Sequence, residues 1–274
     1  MRDPIPLRSR IEEVTPEWLT QALHRGGLKG LQIDDFAAES IGTGQVGENV
    51  RLSLQYGPGS AKGPASVVLK LPSVHPVSRA TAVAQGIYAR EVHFYTVLAP
   101  TLKIRTPHCW YADLAENGEQ FVLVFEDMAP AKQGDQLAGC TRQQAELAMH
   151  EATRLHAPRW NDSELSTLTW LSRPGPDSAT LLAAFYQSVL PGFEARFRDR
   201  LSESVLALAR RFGEKIGRWA GFDEGPRCVV HGDFRLDNML FGSGDGDTPL
   251  TVVDWQTCAH GHPASDVSYF LGAG

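Results

Sequence analysis

The feature that most constrains this chain is a pair of polar blocks, each issuing from a short apolar run. Cys228-Val229-Val230 leads into His231-Gly232-Asp233-Phe234-Arg235-Leu236-Asp237-Asn238, and Leu250-Thr251-Val252-Val253 leads into Asp254-Trp255-Gln256. Asp233 and Asp254 therefore stand where short buried strands run out into loops. Phosphoryl transfer from a nucleotide asks for such a set: one Asp to accept the proton of an attacking hydroxyl, and an Asn and a second Asp to hold Mg²⁺ on the phosphates. In that assignment Asp233 is the base, and Asn238 and Asp254 are the metal ligands. The plain alternative is two surface loops that carry Asp and Asn by coincidence, and the remaining motifs speak against it.

Upstream, Phe36 to Ile41 is strand-like and enters Gly42-Thr43-Gly44-Gln45-Val46-Gly47, and Val50 to Tyr56 alternates apolar and polar residues on exit. Glycines between two strands let backbone N–H groups approach phosphates without a Cβ in the way. A dinucleotide fingerprint would open a helix instead. Alone, the run reads equally well as a plain glycine-rich hairpin. Ser66-Val67-Val68-Leu69-Lys70-Leu71 is an apolar strand with one lysine inside it. Ala84, Ile87, Tyr88, Glu91, Tyr95 and Leu98 recur at helical spacings and predict one helix over 80–98. Glu91 lies on its apolar stripe, where an unpaired carboxylate is costly, and an ion pair with Lys70 resolves that cost. A strand over 106–113, a turn at Glu116–Glu119 and a buried strand from Phe121 to Met128 follow, then a linker over 129–139.

An Asp with an Asn five positions later, then a second Asp ending another apolar run, follows the H-x-D-x-x-x-x-N plus D-x-G logic of kinases. Here the first block reads His-Gly-Asp, and Gln256 replaces the glycine of the second. In these departures the chain resembles the aminoglycoside and choline kinase-like phosphotransferases, most of all their actinobacterial phosphotransferase and ecdysteroid-kinase-like branches. A protein kinase fits less well, because the A-P-E segment is absent. The resemblance runs from about Trp18 to the end of the chain. It implies an α+β, bilobal, protein-kinase-like fold, with a β-rich N-terminal lobe over 1–127 and a mainly helical C-terminal lobe over 128–274. It implies ATP and Mg²⁺ as cofactors and the hydroxyl group of a small molecule as acceptor. Lys70, held by Glu91, would contact the α/β-phosphates, and Gly42, Gly44 and Gly47 would cover them. The backbone at Glu126 and Met128 would contact adenine, with Phe125 behind it.

By the same resemblance, Leu155-His156-Ala157-Pro158-Arg159-Trp160 looks like a stretch seen in the family. Helices over 181–198 and 202–219 occupy the position where the family builds part of its acceptor site, and Asp266 is expected to cap a helix beginning at Val267. The family usually continues with further C-terminal helices, whereas this sequence stops at Gly274 within an apolar segment, Tyr269-Phe270-Leu271. A second expectation follows: a nucleotide-binding module without catalysis, whose apolar end would need a partner or self-association.

A net charge of -6, from 26 Lys and Arg against 32 Asp and Glu, offers no basic stripe for nucleic acid. It does not favour a polycationic acceptor either, because the part after Asp127 has no strong acidic excess. No apolar run approaches the ~20 residues of a membrane span, and the first ten residues do not read as a secretory signal. Cys109, Cys140, Cys228 and Cys258 are scattered without C-x-x-C spacing, so reduced thiols in a cytoplasmic protein are expected. His150, His156, His260 and His262 read as packing or loop histidines, His231 as structural, and Asp237 as stabilising its loop. Arg235 either touches phosphate or is solvated. Gly242 to Asp247 reads as a hairpin turn.

Overall fold

A threonine cap followed by proline starts the first helix. The Thr15 hydroxyl accepts the Trp18 N–H at 3.2 Å, and α1 runs over Pro16–Arg25. The computed structural model describes residues 5–42, 46–173, 175–222, 224–242 and 249–273. Of the glycine stretch, Gly42 and Gly47 are described, and Gly44 lies outside the described residues.

Five strands form an antiparallel sheet: β1 (Ile33–Ile41), β2 (Gly47–Tyr56), β3 (Ser66–Pro72), β4 (Cys109–Leu114) and β5 (Phe121–Glu126), in the order β1-β2-β3-β5-β4. Alternation along the strands decides what each face meets. Val67, Leu69 and Leu71 of β3 and Val122 and Val124 of β5 pack with Trp18, Leu19 and Leu23 of α1. Phe121, Leu123 and Phe125 face the opposite way, into the main core. With both faces covered, β5 reads as an unbroken apolar run rather than an alternating one. Lys70 falls in the gap of the β3 alternation, so it points away from α1.

Two helices cover that second face, α2 (Pro76–Ala84) and α3 (Ile87–His93). The single helix expected over 80–98 is thus corrected: Gly86 takes φ 65°, a left-handed conformation that ends one helix and starts the next. A π-helical turn over Phe94–Leu98 continues α3. At the exit of β5, Asp127 accepts Arg51 Nε at 2.7 Å and the Ser66 hydroxyl at 2.6 Å, which fixes where the chain leaves the sheet.

The linker that follows is not featureless. Its β6 (Lys132–Gln133) pairs with β8 (Met239–Phe241), which pairs with β9 (Leu250–Val252). Between them in sequence lie α4 (Arg142–His156), opened by a Thr141/Gln144 capping box, α5 (Pro176–Phe197), α6 (Glu203–Gly213), α7 (Ile216–Ala220) and β7 (Cys228–Val230). The helix expected over 202–219 is two helices, parted at Glu214 and Lys215. β10 (Ala259–Gly261) pairs antiparallel with β7, and α8 (Pro263–Ala273) closes the described chain. Among the described residues no helix is long and apolar enough to cross a membrane. The apolar segment Tyr269-Phe270-Leu271 divides its duties: Phe270 is buried in the main core, whereas Leu271 is 70% exposed.

Leu69 is fully buried between the sheet and α1. Leu69→Ala is expected to lower unfolding stability by about 2–5 kcal/mol, read from urea midpoints.

Candidate active site

The two polar blocks of the sequence are brought together by the short strand pairs. The loop 231–238 connects β7 to β8, and the loop 253–258 connects β9 to β10. Met239 is paired with Val252, and just beyond that pair the Val253 N–H donates to the Asn238 carbonyl at 2.9 Å. Asn238 and Asp254 are therefore neighbours because of β8–β9 register, although they lie 16 positions apart in the sequence.

Asp233 is held in place by its own loop. The Asn238 amide donates to Asp233 Oδ2 at 2.8 Å and to its backbone carbonyl at 2.9 Å, and Arg235 Nε donates to Oδ2 at 3.1 Å. Because the amide nitrogen turns towards Asp233, the Asn238 carbonyl oxygen turns the other way. His231 spans the two loops. Its Nδ1 accepts the Asp233 N–H at 3.2 Å, so the proton sits on Nε2, which donates to the Val253 carbonyl at 2.9 Å. The ring thereby ties one loop to the other.

Gly232 explains why the block reads His-Gly-Asp. Its φ is 81°, and a Cβ there would lie 2.5 Å from the Thr257 carbonyl oxygen. The loop is also held from α8. Asp266, 1% exposed, accepts the N–H groups of His231 at 2.8 Å and Gly232 at 2.9 Å, and it meets His156 Nε2 at 2.9 Å. This corrects the expectation that Asp266 caps its helix: α8 begins at Pro263, and the carboxylate serves the 231–238 loop instead.

Lys70 joins the two halves of the site. Its Nζ donates to Glu91 Oε1 at 2.7 Å and to Asp254 Oδ1 at 3.0 Å. Burial works against the ammonium, yet the two carboxylates outweigh it and hold its pKa above the ordinary lysine value. Burial alone would raise the Asp254 carboxyl, but Lys70 pulls it below the usual carboxylate range. Asp254 adopts φ 66°, a left-handed conformation rare outside glycine, and such strain is typical of functional positions. Trp255 behind it stacks on Phe94 at 3.9 Å and 4°, and meets the His231 ring at 4.6 Å.

Gln256, standing where kinases carry glycine, has a place of its own. Its side chain is 5% exposed beside the Glu91 carboxylate, its backbone carbonyl accepts Arg90 Nη1 at 2.7 Å, and its amide lies 3.9 Å from where a Cβ on Gly47 would be. Gly47 thus closes directly over Lys70 and Gln256. The neighbouring Val46 carbonyl accepts the buried Tyr88 hydroxyl at 2.6 Å. Glu126 and Met128 lie at the exit of β5, away from this cluster. The Glu126 side chain is bound by Arg105 Nη2 at 2.8 Å, its N–H donates to the His108 carbonyl, and Met128 is buried.

Four carboxylates, Glu91, Asp233, Asp237 and Asp254, face two cations, Lys70 and Arg235, through these contacts. The resulting excess of two negative charges fits a divalent cation. Among the described residues no cluster of three His, Cys, Asp or Glu is arranged to hold a metal alone. A cation at Asn238 and Asp254 would therefore complete its oxygen shell from phosphate and water, as Mg²⁺ commonly does. Gly232→Ala, which cannot relieve the contact with Thr257, is expected to cost more than about 1 kcal/mol of stability, measured by thermal unfolding.

Comparison with known proteins bears on the family and the fold. The profile described as the phosphotransferase enzyme family matches residues 60–273. Among solved structures the chain is similar to the GDP and kanamycin complex of APH(2")-IIia, with a TM-score of 0.59, 16% identity, and coverage of 94% of this chain and 78% of that one. It is also similar to the streptomycin-ATP-APH(2")-IIa ternary complex, with a TM-score of 0.50, 17% identity, and coverage of 89% and 74%. At these identities the likeness is one of fold, the kinase-like α+β architecture expected from the sequence. A 47-residue stretch, 17% of this chain, is 38% identical to acyl-CoA dehydrogenase family member 11 of Gallus gallus, and it spans only 6% of that relative. The family profile covers most of the chain and includes Lys70, Glu91, Asp233, Asn238 and Asp254. The chain belongs to the phosphotransferase enzyme family.

Proposed function

We propose that the chain transfers the γ-phosphoryl group of ATP to a hydroxyl group of a small molecule. The observation that carries this reading is the bridge from Lys70 to both Glu91 and Asp254. A buried lysine between two carboxylates is a costly way to stabilise a fold. It is an effective way to hold an ammonium where phosphate will lie. The nucleotides in both solved neighbours support the same reading.

In this reading the nucleotide lies between a strand-rich lobe ending near Asp127 and a helical lobe beginning near Met128. The backbone at Glu126 and Met128 meets the base, Phe125 backs it, and Gly42, Gly44 and Gly47 cover the phosphates. Lys70 contacts the α/β-phosphates, with Glu91 keeping it in position. Asn238 and Asp254 would hold Mg²⁺, which would supply positive charge to neutralise the phosphates. Asp233 accepts the proton of the acceptor hydroxyl as the new oxygen–phosphorus bond forms. The bond between the γ-phosphorus and its bridging oxygen breaks, and ADP leaves with that electron pair. Asn238 and Arg235 both hold Asp233 Oδ2, which fixes the carboxylate plane and aims it at the hydroxyl.

Calorimetric titration with a non-hydrolysable ATP analogue, with and without Mg²⁺, tests the cleft. Magnesium-dependent binding is expected, and no binding would overturn the reading. Asp254→Ala should remove the Mg²⁺ dependence of nucleotide affinity. Asp233→Asn should leave nucleotide affinity nearly unchanged and lower turnover by roughly 10²–10⁴-fold, scored as phosphorylated product from a panel of hydroxyl compounds. Full activity of that variant would sink the assignment of the base.

A further inference from the structure

The sheet has one donor fewer just where the glycine-rich stretch enters β2. Gly47 opens that strand and is paired with Pro72 at the end of β3, and proline has no N–H to give. Val46 and Ser73 are the next residues along the two chains, and a side chain joins them. The Tyr88 hydroxyl accepts the Ser73 N–H at 3.2 Å and donates to the Val46 carbonyl at 2.6 Å. The direction is fixed by chemistry, since an amide N–H can only give a hydrogen and a carbonyl can only take one. Tyr88 is fully buried, its ring centre lies 4.5 Å from that of Phe121, and Val46 packs against the same core.

Two contacts tie this bridge to the site. Tyr88 and Glu91 are three residues apart on α3, both buried, and so lie on one side of the helix. Glu91 Oε1 accepts Lys70 Nζ at 2.7 Å. A Cβ on Gly47 would lie 3.7 Å from Lys70 Cε, so the arm that Tyr88 holds passes directly over the lysine side chain. One helix thus sets two heights, that of the ammonium and that of the backbone above it.

We propose that Tyr88 is a positioning residue for phosphate binding: its hydroxyl keeps the Val46–Gly47 arm in register with Lys70, so that arm and ammonium meet the same phosphates. The inference rests on the phosphotransferase reading above and adds a residue to it. Tyr88 touches backbone and acts through it. Without the hydroxyl, the Ser73 N–H and the Val46 carbonyl lose a partner, and the arm is no longer tied to the helix that holds Lys70.

The test uses the full chain with Mg²⁺ and three probes, adenosine, ADP and a non-hydrolysable ATP analogue, each titrated by calorimetry into wild type and Tyr88→Phe. The substitution removes one oxygen and keeps the ring against Phe121. Affinity for ADP and the triphosphate analogue should fall roughly 5- to 20-fold, while that for adenosine, which has no phosphate, stays within about twofold. A second measurement needs no variant. Coupling is reciprocal, so ADP should slow hydrogen exchange of the Ser73 amide in wild type by about the same factor, and adenosine should not. Equal losses for all three probes in Tyr88→Phe would make Tyr88 a packing residue and overturn the proposal, as would unchanged affinities or a Ser73 amide that responds alike to ADP and adenosine. A wild type that binds none of the probes would overturn the phosphotransferase reading and this assignment with it.

Discussion

Everything at this site depends on one buried ammonium. Lys70 lies between Glu91, from the helix behind the sheet, and Asp254, from a loop that the chain reaches 184 residues later. Removing one partner of such a group leaves an uncompensated charge, at a cost of several kcal/mol. The sheet, α3 and the loop after β9 are therefore obliged to keep a common arrangement. The packing around the ion pair serves the same end: Phe94 stacks on Trp255 directly behind Asp254, and Gln256 fills the space between Glu91 and Gly47.

The loop bearing Asp233 is positioned by a different device. Its backbone would leave N–H groups without partners as it departs from β7, and Asp266 takes two of them from below. His231 then spans to the neighbouring loop, with a tautomer set by the Asp233 N–H. The short strands do the rest, since β8–β9 register puts Asn238 and Asp254 side by side. Small elements with few residues suffice because each end is fixed by a charged or ring hydrogen bond.

Much of this was legible in the sequence, for identifiable physical reasons. A lysine inside an apolar strand and a glutamate on an apolar helical stripe each demand a partner, and together they named one another. The Asp/Asn spacing picked out Asp233, Asn238 and Asp254, which the structure brings together. What escaped was what has no periodic or compositional signal. Gly86 splits a helix whose apolar spacing continues across it. Lys132 and Gln133 form a strand of two polar residues that exists only because Leu240 and Phe241 lie alongside. Asp266 resembled a helix cap because Asp before an apolar run commonly is one. Pro263 had already begun the helix, and the carboxylate turned inward to amides no local pattern could indicate.

The pairing of β6 with β8 carries a mechanical implication. The chain crosses from the sheet to the helices through residues 127–131, then is stitched at once to the strand that leaves the Asp233 loop. Gln133 and Gln136 add hydrogen bonds to Asp237 and Leu236. A tug on the crossover is thus delivered to the loop bearing Asp233 without passing through the helices. Any rocking of the sheet against the rest of the molecule would register at Asp233 as a displacement, making the crossover a lever arm rather than a slack tether.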